Sequence, residues 1–311
     1  MKAAVLTGGV GGAKLVLGLT RLLPAGDLTA IVNTGDDFRH LGLHVSPDID
    51  TILYTLAGKA NAAQGWGCEG ESWGFMTMLR ELGGEDWFQL GDHDLALHVL
   101  RTARLASGRT LSAVTRDFAH AWGIGADILP MTDQAVATVL DTEIGMLPFQ
   151  NYFVERRCEP AVRGISFLGA EGALPAAGAA EAIIGADAVF IAPSNPYLSI
   201  DPILAVPGIR AAIEATAAPV VAVSPLVGGQ AVKGPTAKLM DELGLAVTNA
   251  AIADHYEGLI DGLLVHRGDD VPKGAMAVDC ADTMMRTIDD KERVARAAFG
   301  LAERIGRRQS D

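Results

Sequence analysis

The opening segment of the chain constrains its fold most. A short apolar run, Ala3 to Thr7, gives way to Gly8-Gly9-Val10-Gly11-Gly12. The helical pattern Ala13-Lys14-Leu15-Val16-Leu17-Gly18-Leu19 follows, and then a second apolar run from Leu28 to Val32. Strand, glycine turn, helix and strand make a βαβ unit, with a right-handed crossover and parallel strands. This beginning predicts an α/β protein with a Rossmann-like, doubly wound, mostly parallel sheet.

The same character returns late in the chain. Ala188 to Ala192 runs into Pro193, Val220 to Val223 runs into Ser224-Pro225, and a helix predicted from Pro207 to Ala217 joins them. Gly262 to Val265 reads as a last strand, and Asp289 to Arg304 as an amphipathic helix. In between, Ile49–Ala57, Trp73–Leu82, Asp94–Ser107 and Leu111–Trp122 have helical spacing. The expected division is an α/β nucleotide-binding core over 1–57 and 146–311, with a mainly helical insertion over 58–145. A chain of 311 residues is at the size where one core tends to split.

Composition serves mainly to exclude. With 49% apolar and 20% charged residues, the chain has the makings of a large core rather than of disorder. A net charge of −13, with no Lys/Arg-rich run before the tail, argues against a nucleic-acid binder. Cys68, Cys158 and Cys280 are odd in number and far apart, which argues against a disulfide framework or a CxxC metal site and for a cytoplasmic protein. Glycines break the apolar N-terminus before a signal-peptide core forms. No stretch reaches the ~18 to 20 apolar residues that span a bilayer, so no membrane association is expected.

In an open parallel sheet, ligands sit beyond the carboxyl ends of the strands. The loop after the first strand, Gly8 to Gly12 with Lys14 beyond, suits close backbone approach to a phosphate at a helix N-terminus. It is neither GxGxxG nor a Walker A loop, and a tight strand–helix turn explains it as well. After the second strand come Asn33-Thr34-Gly35-Asp36-Asp37 and then Ser46-Pro47-Asp48-Ile49-Asp50. Carboxylates this dense repel unless a cation or separate hydrogen bonds hold them. Hard oxygen ligands suit Mg²⁺, although Asp48 and Asp50 also suit a helix cap. The later loops, Pro193-Ser194-Asn195 and Ser224 to Gly229 leading to Lys233 and Thr236, are small and polar. Together these loops indicate a diphosphate nucleotide site with a divalent metal. His93 and His98 are badly spaced for one helix face and carry no metal expectation, and Trp66, Trp73, Trp87 and Phe88 read as core or as a wall for a flat substrate.

Several of these segments are shared with one known family. GGVGGAKL, VNTGDD, SPDIDT, LPMTD, FQNYFV, APSNPYLSIDPIL and VSPLVGGQAVKGPTAKLM, in order from Met1 to about Asp270, resemble the 2-phospho-L-lactate transferase (CofD-type) family of coenzyme F-420 biosynthesis. The resemblance implies transfer of a phosphorylated three-carbon acid (lactyl, enolpyruvyl or glyceryl) from a guanosine diphosphate ester to the deazaflavin Fo, with Mg²⁺, releasing GMP. It implies a homodimer, with Asp36 and Asp50 as leading catalytic or metal-binding carboxylates and Asp37 and Asp48 as further metal ligands. Gly8, Gly9, Gly11, Gly12, Lys14, Ser194, Asn195, Gly228, Gly229 and Lys233 would hold the guanosine diphosphate. Asn33, Asp50 and Gln89 would meet Fo, under cover of Trp66 and Trp87. Gln89 stands where the family often has a basic residue. Asp50 is the expected base for the acceptor hydroxyl, and no site is expected beyond Asp270. A nucleotide-sugar-binding regulatory protein of the gluconeogenesis-factor type is the alternative; SPDID and FQNYFV favour the enzyme.

Overall fold

The computed structural model describes residues 1–311 apart from 62, 63, 232, 233, 275 and 311, and only the backbone of 308–310. The chain begins with β1 (Ala3–Thr7), α1 (Gly9–Thr20) and β2 (Leu28–Val32), then a hairpin of β3 (Phe38–His40) and β4 (Leu43–Val45). Helices α2 (Pro47–Leu56), α3 (Gly74–Glu81), α4 (Asp92–Ala106) and α5 (Leu111–Ala121) come next. They lead to β5 (Asp127–Pro130), β6 (Ala137–Thr142), β7 (Gly145–Pro148) and β8 (Val162–Leu168). After α6 (Ala179–Ile184) and β9 (Ala188–Ile191) lie α7 (Asp201–Leu204), α8 (Pro207–Ala215) and β10 (Val220–Val223). A small hairpin, β11 (Leu226–Val227) and β12 (Gln230–Ala231), precedes α9 (Thr236–Glu242) and α10 (Asn249–His255). β13 (Gly262–His266), β14 (Ala277–Ala281) and α11 (Ile288–Ser310) close the chain.

Seven strands form one parallel sheet in the order β5-β2-β1-β9-β10-β13-β14. Strand order grows outward from β1 on one side and from β9 on the other, so it reverses between them. The expected Rossmann-like α/β sheet is what the chain forms, and its crevice is at that reversal.

The alternation of β1 explains why the run is apolar from Ala3 through Leu6. Ala3 and Val5 pack with Leu15, Val16 and Leu19 of α1 and with Val294, Ala298 and Leu301 of α11. Ala4 and Leu6 face the other way, among Ile183 of α6 and Ile209 and Ile213 of α8. Successive strand side chains point to opposite faces, so a strand covered on both sides must be apolar throughout. Each fully buried Leu or Val on these helices stabilises the packing by about 1.5–3 kcal/mol. A polar residue at Leu15 or Leu19 would open the α1 side of the sheet.

The stretch 58–145 departs from a helical insertion. Helices α3 to α5 fill its middle, but β5 is the edge strand of the central sheet, paired with β2. β6 then begins a separate three-stranded antiparallel sheet, β7-β6-β8. Asp127-Ile128-Leu129-Pro130 is short and ends in proline, which reads as a turn; an edge strand tolerates proline because it lacks a second neighbour. Among the described residues, no helix is long and apolar enough to cross a membrane.

Candidate active site

The loops after β1, β2, β9, β10 and β14 open onto one cavity of about 620 Å³. Gly8, Gly9, Gly11 and Lys14 line it from the first loop, Asp36, Asp48 and Asp50 from the second and from α2, and Ser194 and Asn195 from the loop after β9.

Gly9 begins α1 at φ +60°, a left-handed conformation that glycine adopts without strain. No side chain caps α1 from its N-cap position and no acid occupies its first turn, so the positive end of its dipole faces the cavity. Ser194 fixes the loop from behind: Gly8 N–H donates to Ser194 Oγ at 3.2 Å, and that hydroxyl donates to the Gly8 carbonyl at 2.7 Å. Asp48 approaches from the front and accepts the Gly9 N–H at 2.6 Å.

Asn33, fully buried at the end of β2, gathers the acids. Its Nδ2 donates to Asp36 Oδ1 and to Asp48 Oδ2, each at 3.0 Å, while its Oδ1 accepts from Gly35 N–H at 2.8 Å. Gln150 Nε2 approaches Asp36 Oδ2 at 3.4 Å. These hydrogen-bond partners are all neutral. Burial raises the Asp36 carboxyl well above its ordinary range, and the charges of Asp48 and Asp37 raise it further. Burial likewise raises Asp48 to about 6, against the lowering effect of the Asn33 and Gly9 hydrogen bonds. Two crowded carboxylates facing open space form a hard-oxygen set that fits Mg²⁺, which takes one or two carboxylates and leaves its other positions to water and phosphate.

The other two aspartates of this group are already engaged. Asp37 accepts from Ser46 Oγ at 2.7 Å and has His44 Nε2 at 3.2 Å; it does not line the cavity. Asp50 does line it, but in a buried two-pronged ion pair with Arg101: Nη1 donates to Oδ2 at 3.2 Å and Nη2 to Oδ1. Both carboxylate oxygens are thus engaged by the guanidinium, which holds Asp50 in place at the cavity wall.

The opposite wall comes from the helical region and from β7 onward. Tyr54 OH donates to Asp94 Oδ1 at 2.5 Å, and burial raises Asp94 to about 6. Burial lowers His98 to about 4, so the imidazole is neutral at physiological pH. Trp66 and Phe88 line this side, as do Phe149 and Phe153, whose rings stack at 5.3 Å. Trp87 lies behind Phe88 against His40, at 5.1 Å, rather than on the cavity. Gln89 lines the cavity with its amide held by Arg80 and the Asp86 carbonyl, each at 2.7 Å.

Some expected contacts fall elsewhere. Gly228 and Gly229 have φ of +64° and +69° and form the two-residue turn between β11 and β12, which accounts for both glycines without a ligand. Asn33 organises the acids and is not part of the cavity lining. Lys233 lies outside the described residues. The tail, for which no site was expected, brings Thr283, Met284 and Met285 to the cavity edge. Sequence reasoning also missed Arg101, Asp94 and His98, although Asp94, Leu97, His98 and Arg101 fall at i, i+3, i+4 and i+7 on α4, all buried. A helix face carrying that many polar groups inward was the available signal.

Fold and site together define a Rossmann-like α/β protein with a ligand cavity at its topological switch point. Residues 3–303 match the family model for 2-phospho-L-lactate transferase CofD, and the chain belongs to that transferase family. It is 42% identical to the phosphoenolpyruvate transferase of Streptomyces coelicolor, over 98% of this chain and 99% of that one. It is 38% identical to the phosphoenolpyruvate transferase of a Mycobacterium species (strain KMS), over 97% and 99% respectively. A crystal structure of a UPF0052-family protein from Bacillus halodurans superposes with a TM-score of 0.63 at 18% identity, covering 96% of this chain and 98% of that one. That last likeness is one of fold.

Proposed function

We propose that the protein transfers a phosphorylated three-carbon acid from a guanosine diphosphate ester to the hydroxyl of the deazaflavin Fo, releasing GMP, in coenzyme F-420 biosynthesis. Enolpyruvyl is the favoured acid, because the relatives named above are phosphoenolpyruvate transferases. The observation that carries the reading is the convergence of Asp36 and Asp48 on Asn33 beside the N-terminus of α1, facing an aromatic wall across one cavity.

Asp36 and Asp48 would hold Mg²⁺. When bound, the ion supplies positive charge to the phosphate oxygens as charge moves to the leaving group. The N-terminus of α1 adds backbone N–H donors to the same oxygens. The aromatic wall of Trp66, Phe88 and Phe149 packs the flat acceptor and keeps water from competing with its hydroxyl. Asp50, fixed by Arg101, accepts a hydrogen bond from that hydroxyl and orients it toward phosphorus. A loose phosphoryl-transfer transition state asks little proton removal early, so orientation of the hydroxyl suffices.

The test incubates the protein with Fo, Mg²⁺ and each of the lactyl, enolpyruvyl and glyceryl guanosine diphosphate esters, and follows GMP by chromatography. GMP and phosphorylated deazaflavin from the enolpyruvyl ester, abolished by EDTA, is the expected result. Tight binding of a nucleotide sugar with no product from any ester would move the chain to the regulatory reading.

A further inference from the structure

A second cluster of ligating side chains lies where the segment following Trp66 meets the start of α4. Cys68, Glu71 and His93 each offer one atom, and the three atoms are within 4.8 Å of one another. Among the described residues this is the one group of three such ligands. It combines a thiol, a carboxylate and an imidazole, the donor mix that suits zinc-class transition metals rather than Mg²⁺.

The surrounding chain prepares the cluster. Glu71 is anchored by two backbone donors at the start of α4: His93 N–H to Oε2 at 2.7 Å and Asp94 N–H to Oε1 at 2.9 Å. Each carboxylate oxygen keeps a lone pair beyond those bonds. Gly91 makes the approach possible, since a Cβ there would occupy the Glu71 carboxylate. Cys68 is held by an antiparallel bridge to Ala60. It is almost fully covered, at 8% exposure, while His93 is exposed and leaves an entry path. No hydrogen bond among the described residues ties the Cys68 thiol, the Glu71 carboxylate and the His93 ring to one another. Ligands around a tetrahedral zinc sit about 3.3–3.8 Å apart, so the cluster, already within 4.8 Å, has only to draw in slightly on binding.

We propose that Cys68 Sγ, a Glu71 carboxylate oxygen and a His93 ring nitrogen bind a zinc-class divalent ion, with the fourth position left to water. Binding releases the thiol proton to solvent, and the thiolate, carboxylate and neutral imidazole form the coordinate bonds. The ion staples the loop that carries Trp66 to the start of the helix that carries Asp94, two residues on the wall of the cavity. The site is separate from the Asp36–Asp48 pair and differs from it in donor chemistry.

Cobalt(II) titration of the full-length, metal-free protein tests the site, because a thiolate ligand gives cobalt an intense near-ultraviolet charge-transfer band that carboxylates do not. The expected result is such a band saturating at one cobalt per chain, displaced by Zn²⁺ and unaffected by excess Mg²⁺. Cys68→Ser removes the band. His93→Ala, at an exposed position that leaves folding intact, weakens cobalt binding at least tenfold. The double variant Cys158→Ser/Cys280→Ser keeps it unchanged. No band in the wild type, a band that survives Cys68→Ser, or one lost with Cys158 and Cys280 would each overturn the proposal.

Discussion

The two sides of the cavity handle charge in opposite ways. On the sheet side, Asp36 and Asp48 are buried among neutral donors, namely the Asn33 amide, Gln150 and the Gly9 N–H, and burial raises both carboxyls. On the helical side, Asp50 meets the Arg101 guanidinium directly, while Asp94, raised by burial like the sheet-side pair, accepts from the neutral Tyr54 hydroxyl. A carboxylate pair left uncompensated is costly to the folded protein and available to a cation; a compensated one is structural and holds its neighbours in place. Binding capacity therefore belongs to the sheet edge, and rigidity to the wall opposite it.

The largest expected effect breaks the compensated side. Arg101→Met leaves Asp50 buried without its partner and should cost about 3–5 kcal/mol of stability, read from urea melts. The double variant Asp50→Leu/Arg101→Met should recover most of that loss, because the unpaired charge is gone. If Arg101→Met alone melted within about 1 kcal/mol of the wild type, the ion pair would not hold this wall together.

The uncompensated side should respond the other way. Asp48→Asn keeps the shape and one accepting oxygen for Asn33, gives up the Gly9 N–H bond and removes a crowded charge, so the variant should stay within about 1 kcal/mol of the wild type. Its kcat in the GMP-release assay should nevertheless fall on the order of 10²–10³-fold, with saturation by Mg²⁺ shifted to higher concentration. Lost stability together with full turnover would reverse the roles assigned to the two walls. Smaller again is Phe88→Ala, which removes one aromatic face. The KM for the deazaflavin should rise about tenfold, the equivalent of ~1.4 kcal/mol, with the KM of the guanosine ester unchanged.

The contrast between the walls also tracks what the sequence made legible. The sheet side is local: Gly8 to Gly12 follow β1 directly, and Asn33 and Asp36 follow β2, so strand–loop order alone placed them at one edge. The helical side depends on pairings across long stretches of chain. Asp50 and Arg101 are 51 positions apart, and Tyr54 and Asp94 are 40 apart. Nothing short-range marks such a pair, and only the buried face of α4 hinted at it. β5 was missed because four residues ending in proline carry little periodicity, and its place was decided by β2 offering a free edge. Gly228 and Gly229 illustrate the opposite case: their local signal was strong, and a hairpin turn accounts for it.

His40 provides the mildest test, and it concerns the layer that supports the aromatic wall. Its ring packs edge-on against Trp87 at 5.1 Å and near Phe88 at 5.9 Å, and its buried Nε2 has no hydrogen-bond partner. Burial lowers the imidazole below its usual value, with Glu85 opposing only in part. A histidine whose folded value lies below its unfolded one favours the native state above the unfolded value of about 6.5, and that contribution is lost as pH falls through it. His40→Phe keeps the aromatic packing and removes both the lone nitrogen and the titration. At pH 7.5 the variant should match the wild type to within about 1 kcal/mol, whereas below pH 6.5 the variant should become progressively the more stable of the two. Chemical melts of both proteins across that range measure the difference directly. A gap that stayed constant with pH would mean the His40 ring is not held neutral by this layer, and the aromatic wall would then be wetter than its packing implies.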